Sequence, residues 1–211
     1  MSTIGYDRSV TPAAVALTIA ALADAAALAE PAVVPQRPPD DRPSLVIPIV
    51  HGLALMSVMR VGESLLYPDP FSRNEHFAAH YEEAFTRPPL FDASRRAFEW
   101  DGDSWTINVL GHGLFGSELY LRARTCRLPW YGALAFAAAG STLWEYAFEA
   151  NGVRPSALDL VYTPLAGMVL GEGRYLAWRS AAGIRAPALR TVLRAAVDPF
   201  GEVERAFGAG C

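Results

Sequence analysis

The sequence predicts an all-α protein: a compact bundle of about four main helices, preceded by a signal-like helix and followed by an amphipathic tail. Of its 211 residues, 52% are hydrophobic and 19% are charged, against about 25% charged in an ordinary soluble domain. The mean hydropathy is +0.16, and Ala and Gly, which allow helices to pack closely, are abundant. The net charge of −4 argues against nucleic acid as a partner.

The N-terminal residues 1–29 have the pattern of an export signal. The apolar run over 13–23 has the length of a signal-peptide core and is too short for a transmembrane helix, which needs about 20 residues. Small residues at 27 and 29 form an A-x-A-like cleavage pattern. We interpret 1–29 as a signal peptide or signal anchor; an Ala-rich amphipathic helix is the alternative. Five prolines predict a linker over 30–44, before a single helical domain over 45–211.

Four apolar segments of the domain are predicted to be helical. They cover residues 45–67, 104–121, 129–150 and 157–178. Each is close to the length that spans a bilayer, although none is apolar throughout. The turns after the second and fourth segments are rich in arginine, which is typical of the cytoplasmic side of a membrane protein. Arginines at helix C-termini also favour the helix dipole, so both interpretations stay open.

The connections differ in character from these segments. Residues 68–103 hold eight acidic residues and four arginines. We expect one or two short helices there, around Glu75–Phe85 and Ser94–Trp100. The tail over 184–207 predicts an amphipathic helix that is broken twice by proline.

The two cysteines carry little information on their own. Cys126 and Cys211 lie 85 positions apart, and the sequence has no Cys-x-x-Cys and no Cys/His metal spacing. A disulfide between them is an open alternative in an oxidising compartment. The sequence predicts no resident metal or other cofactor from cysteine spacing.

Polar residues recur at helical spacing on three of the segments. The stripes are Asn108 with His112, Ser141 with Glu145 and Glu149, and Asp159 with Thr163. Close packing of these small-residue helices would bring the three stripes into one polar interior. Ionisable groups in an apolar setting are costly and are therefore functional candidates. His112 and Glu145 are a candidate acid–base pair with Asp159 orienting them, and the same residue types suit a divalent cation.

Each of these residues also has a structural explanation. Ser156 and Asp159 have the S-x-x-D spacing of a helix-start capping box. Glu145 is able to pair with Arg154, or to accept a hydrogen bond from a buried Tyr, Trp or Ser. A buried histidine that makes one hydrogen bond within the core is the corresponding structural interpretation of His112. The sequence leaves these alternatives open.

A longer pattern covers residues 106–124 and 140–172. Its residues are Asn108, His112, Gly116, Ser117, Tyr120, Arg124, Ser141, Trp144, Glu145, Tyr146, Glu149, Pro155, Ser156, Asp159, Thr163, Pro164, Gly167, Gly171 and Glu172. This pattern resembles the bacterial domain of unknown function 3943 family, with a departure at Gly113, where that family has proline. The resemblance implies an exported cell-envelope protein and assigns no activity. A weaker likeness to VanZ-like membrane proteins rests on part of the same set.

Three functions compete at this point. We predict a membrane-associated cell-envelope protein with a structural or interaction role, whose partner is membrane lipid or another envelope protein. The alternative is a membrane-edge enzyme acting on a lipid or cell-wall substrate. Its candidate catalytic residues are His112, Glu145 and Asp159, and its polar-core or binding residues are Asn108, Ser141, Glu149, Arg154, Thr163 and Glu172. A soluble periplasmic binding module is the third hypothesis, and it predicts extraction without detergent.

Overall fold

A computed structural model describes residues 43–73 and 75–211 of the protein. The expected signal segment 1–29 and nearly all of the expected linker 30–44 lie outside these described residues. The described part is helical and has no strand, which confirms the all-α prediction. Its elements are α1 (Val46–Leu66), α2 (Pro68–Phe71), α3 (Phe77–Thr86), π1 (Thr106–Gly111), α4 (His112–Thr125), α5 (Trp130–Leu143), π2 (Trp144–Glu149), α6 (Ala157–Ala182), α7 (Pro187–Val197) and α8 (Pro199–Ala206).

Helix α4 is the central helix of the bundle. Every residue from Phe115 to Ala123 is buried, and α4 packs against α6, α5 and α1. Its apolar side chains, among them Leu119, form the core together with residues of α5 such as Ala133 and Ala137. A helix that is covered on all sides in this way needs small residues wherever a neighbouring backbone comes close.

Glycines provide that close approach between α4 and α6. A Cβ atom added at Gly116 would overlap the backbone carbonyl oxygen of Thr163, and one added at Gly167 would lie 2.5 Å from the carbonyl carbon of Gly116. One helix turn further along α6, a Cβ at Gly171 would lie 2.8 Å from the ring of Tyr120. The two backbones are therefore in direct contact at this crossing.

Helix α1 contacts the bundle through a narrow stripe. Its buried residues are Pro48, Gly52 and Met56, which are four apart and therefore share one face. Leu55 and Met59 are partly buried and pack against the core, whereas other apolar side chains of α1, among them Val58, Val61 and Leu65, are exposed. Among the described residues, α1 is the one helix long and apolar enough to cross a membrane by length and composition.

The acidic connection between α1 and π1 is only partly helical. The expected helix around Glu75–Phe85 is present as α3, but the expected helix over Ser94–Trp100 is wrong. Phe98 has a left-handed backbone with φ of 64°, which an α-helix does not accept. The carboxylate of Asp92 also accepts hydrogen bonds from the backbone and hydroxyl of Ser94. This local turn competes with a helical hydrogen-bond pattern.

The tail folds as two short helices that are held by buried charges. Pro187 and Pro199 are the first residues of α7 and α8, positions where proline costs no backbone hydrogen bond. Asp198, fully buried, accepts a hydrogen bond from Arg122 of α4 at 2.9 Å. A disulfide joins Cys126, just after α4, to Cys211. The end of the chain is therefore attached to the central helix both by charge and covalently.

Candidate functional site

Two π-helical turns interrupt the helices that carry the predicted polar residues. The turn π1 immediately precedes His112, and the turn π2 contains Glu145 and Glu149. A π-helical turn inserts an extra residue into a helix and rotates the side chains that follow it; such turns are frequent at functional sites. Here they displace His112 and Glu145 from the positions that regular helices would give them.

The start of α6 supplies the third predicted residue. The hydroxyl of Ser156 accepts a hydrogen bond from the backbone N–H of Asp159 at 3.1 Å, so the predicted cap at Ser156 is present. In a complete capping box the acidic side chain would bond the backbone N–H of the cap residue. That N–H instead donates to Glu145 Oε2 at 2.7 Å. The carboxylate of Asp159 therefore does not complete the capping box.

Three ionisable side chains meet between α4, π2 and α6. One potential ligand atom from each of His112, Glu145 and Asp159 lies within 4.8 Å of the other two. His112 Nδ1 is 3.6 Å from Asp159 Oδ1 and 3.0 Å from the hydroxyl of Thr163. All three side chains are buried, with Glu145 and Asp159 each 2% exposed. We call this group the His–Glu–Asp centre.

Burial dominates the electrostatics of the centre. Loss of hydration raises the pKa of Glu145 to about 8 and that of Asp159 to about 9, and neighbouring carboxylates add to both shifts. Burial also lowers the pKa of His112 to about 4. Burial therefore favours the uncharged form of each of the three side chains.

The remaining residues of the three polar stripes surround the centre. Ser141 donates its hydroxyl to the backbone oxygen of Asp159 at 3.0 Å. The amide of Asn108 donates to Asp101 at 2.7 Å. Glu149 is buried in π2, and burial, with the charge of Glu145 contributing next, raises its pKa well above the ordinary value.

Two predicted polar residues lie elsewhere. The guanidinium of Arg154 lies 3.5 Å from Glu83 of α3, so the pair with Glu145 that was one of the structural alternatives is not formed. Glu172 accepts hydrogen bonds from the guanidinium of Arg124 and from the hydroxyl of Tyr120. These contacts join α4 to α6 near the opposite end of the crossing and give Glu172 a packing role.

The structure adds Asp101 to the site, which the sequence did not single out. Its carboxylate accepts a hydrogen bond from the hydroxyl of Ser156 at 2.6 Å and from the amide of Asn108. Although burial opposes it, these hydrogen bonds hold the pKa of Asp101 below its usual range. Asp101 is one of eight acidic residues in the 68–103 connection, and no spacing or motif distinguishes it from the others.

The fold and the site together define a helical-bundle protein with a buried histidine–carboxylate centre where its helices meet. Residues 97–200 match the model of the family described as Domain of unknown function (DUF3943). This region of the chain belongs to the family, which confirms the resemblance, and it contains every residue of the centre. No curated protein and no solved structure significantly matches the chain.

Proposed function

We propose that the protein is a membrane-associated protein of the cell envelope, held against lipid hydrocarbon by α1, with a structural or interaction role. The observation that carries the proposal is the outward surface of α1. Val58, Val61 and Leu65 are 60–77% exposed and share one face of the helix. Contiguous apolar surface of this kind is rare on a soluble monomer and marks an interaction site.

Lipid suits this surface better than water does. The 21 residues of α1 measure about 31 Å at about 1.5 Å per residue, close to the roughly 30 Å of a bilayer's hydrocarbon core. Within α1, only 17% of the apolar 18-residue stretch that could cross a membrane is buried inside the protein. A core helix of a soluble domain would instead be mostly buried.

The disulfide supports an envelope location. Cys126 and Cys211 are bonded, with their Cα atoms 5.0 Å apart. Disulfides persist in secreted and periplasmic proteins and are rare in reducing cytosol. An exported protein would meet the oxidising conditions that this bond needs.

A structural role is supported by what most residues of the family pattern do. Gly116 and Gly167 permit the helix crossing, and Ser141 bonds the backbone of α6. Tyr120 and Arg124 bond Glu172 across the same interface. Close packing and hydrogen bonds between helices therefore explain these residues, and no catalytic role is needed to explain them.

Lipid contact is tested by labelling the full-length protein in native membranes with a hydrophobic, photoactivated carbene probe. We expect mass spectrometry to find label on Val58, Val61 and Leu65, because their side chains face the hydrocarbon. Met56, 3% exposed on the inward face of the same helix, is the matched control and should be labelled at least tenfold less. Equal labelling of both faces, or release of the protein without detergent, would contradict the proposal.

A membrane-edge enzyme acting on a lipid or cell-wall substrate is a second candidate, favoured by the proximity of His112 and Glu145. Acid–base groups need hydrogen-bond reach or one bridging water, and the centre brings these two within 4.8 Å. An apolar groove beside the first turns of α6, lined in part by Trp100 and Leu158, adds a surface for an acyl chain.

Genetic complementation separates this candidate from a purely structural role. If the centre catalyses a reaction, His112→Ala and Glu145→Gln proteins that fold and reach the membrane should fail to restore the phenotype of a deletion strain. Glu172→Gln, an isosteric change outside the centre, is the control. Full complementation by both centre variants would contradict the hypothesis that the centre is an active site.

A further inference from the structure

We propose that the His–Glu–Asp centre binds one divalent transition-metal cation, with His112, Glu145 and Asp159 as its protein ligands. One imidazole nitrogen and two carboxylate oxygens form a ligand set that suits Zn²⁺, Mn²⁺ or Fe²⁺. Nothing in the family description assigns a metal to this domain, and cysteine spacing in the sequence predicted none.

Unpartnered oxygens point to the ligand. Glu145 Oε1 and Asp159 Oδ1 are buried and accept no hydrogen bond from the protein, although each residue is only 2% exposed. Leaving a buried carboxylate oxygen without a partner costs free energy. Both residues belong to the His–Glu–Asp centre, so a single cation bound there would supply a partner to each carboxylate.

The other oxygen of Glu145 is already held in place. Glu145 Oε2 accepts the backbone N–H of Ser156, which orients the carboxylate and leaves Oε1 for a ligand. Asp159 is oriented by its position one turn into α6, where Ser156 caps the helix. Metal ligands are commonly supported by such outer hydrogen bonds.

The distances are compatible with coordination after a small adjustment. Two ligands of one cation, each about 2.1 Å from it, lie about 3.0–4.2 Å apart. His112 Nδ1 and Asp159 Oδ1 are 3.6 Å apart, and the ligand atoms of all three residues lie within 4.8 Å of one another. If the widest pair is as far apart as 4.8 Å, it would contract by about 0.6 Å for ligands on opposite sides of the cation and by about 1.4 Å for tetrahedral coordination.

No arginine competes for these carboxylates within the described residues. The arginine–carboxylate ion pairs found there involve other acids, whereas Asp159 lies 3.6 Å from the imidazole of His112. In the described part of the chain a bound cation would thus provide charge compensation that neither Glu145 nor Asp159 receives from arginine. The two π-helical turns, which place His112 and Glu145, give a second reason to regard the arrangement as a built site.

Titration calorimetry on the full-length protein, purified in detergent and stripped with a chelator, tests this proposal. We expect Zn²⁺ and Mn²⁺ to bind with a stoichiometry of one per chain, and Mg²⁺ at least tenfold more weakly because it disfavours nitrogen ligands. Glu145→Gln and Asp159→Asn keep side-chain size, and each should weaken Zn²⁺ binding at least tenfold.

Glu172→Gln is the matched control, since it removes a carboxylate from α6 outside the centre and should leave the affinity unchanged. Circular dichroism verifies that each variant is folded, and Co²⁺ absorption gives a second readout of the ligand set. The proposal is overturned by the absence of stoichiometric binding. It is also overturned by equal affinity in wild type and in both folded centre variants, which would place the cation on other groups. Neither result depends on whether α1 contacts lipid.

Discussion

Replacing Arg122 by methionine is expected to lower the free energy of unfolding by about 3–5 kcal/mol, because the change removes one partner from a buried ion-pair cluster. The guanidinium is 1% exposed and lies 2.9 Å from both Glu118 and Asp198. Asp198 is itself fully buried, so water cannot replace the lost partner. Methionine fills much of the same volume but supplies neither charge nor hydrogen-bond donors.

The stability lost in the Arg122→Met variant should depend on pH. Although burial opposes it, contacts with His51, Arg174 and Arg122 lower the pKa of Glu118 from its ordinary 4.5 to about 2. A carboxylate with a depressed pKa contributes stability above its ordinary pKa and loses that contribution as pH falls through the folded value. The difference between wild type and variant should therefore narrow as the pH falls from 5 towards 2.

Urea unfolding of the two proteins in the same mild detergent, followed by tryptophan fluorescence, measures this difference. Arg96→Met is the control, because Arg96 is exposed in the 68–103 connection and its replacement should change stability by less than about 0.5 kcal/mol. A loss below about 1 kcal/mol for the Arg122 variant would show that the cluster does not hold the tail to α4.

Alanine at Gly116 or Gly167 should destabilise the protein by about 3 kcal/mol, the upper end of the cost of overpacking. The new methyl group at either position would meet backbone atoms of the opposite helix, which have no rotamer to move into. The helices would have to separate, and separation would also disturb His112 on α4 and Asp159 on α6.

Gly173 on α6 provides a matched control for these two changes. A Cβ there meets nothing within 4 Å, so Gly173→Ala should be neutral or should stabilise the helix by about 0.5–1 kcal/mol. Thermal unfolding monitored by circular dichroism compares the three variants. Equal midpoints for Gly116→Ala and Gly173→Ala would mean that α4 and α6 are not in backbone contact.

Local patterns in the chain predicted much of the fold correctly. The Ser156 cap begins α6 at Ala157 as its spacing indicates, and prolines divide the tail at the expected places. The abundance of Ala and Gly predicted close helix packing, and the crossing at Gly116 confirms it. The helix cap and the proline breaks depend on residues within a few positions of one another, which is why the sequence carries them.

Partner choice among charged residues was less predictable. Arg154 contacts Glu83 rather than Glu145, although Glu145 is much nearer to it in sequence. The expected helix over Ser94–Trp100 also failed, because a left-handed residue and an aspartate turn override its helical composition. In both cases two local arrangements compete, a choice of ion-pair partner or a choice between turn and helix. Composition alone does not show which one is more stable.

The amino-acid pattern alone was enough for the all-α class, the long apolar helices and the candidate residues His112, Glu145 and Asp159. It predicted a shared polar interior for these three, but it did not give the distances between them, the addition of Asp101 or the separate place of Glu172. Helical periodicity and capping are short-range properties, whereas the meeting of three helices depends on crossing angles and on the rotation that π1 and π2 introduce. Such rotations arise from packing around α4, so they exist only once the chain has folded.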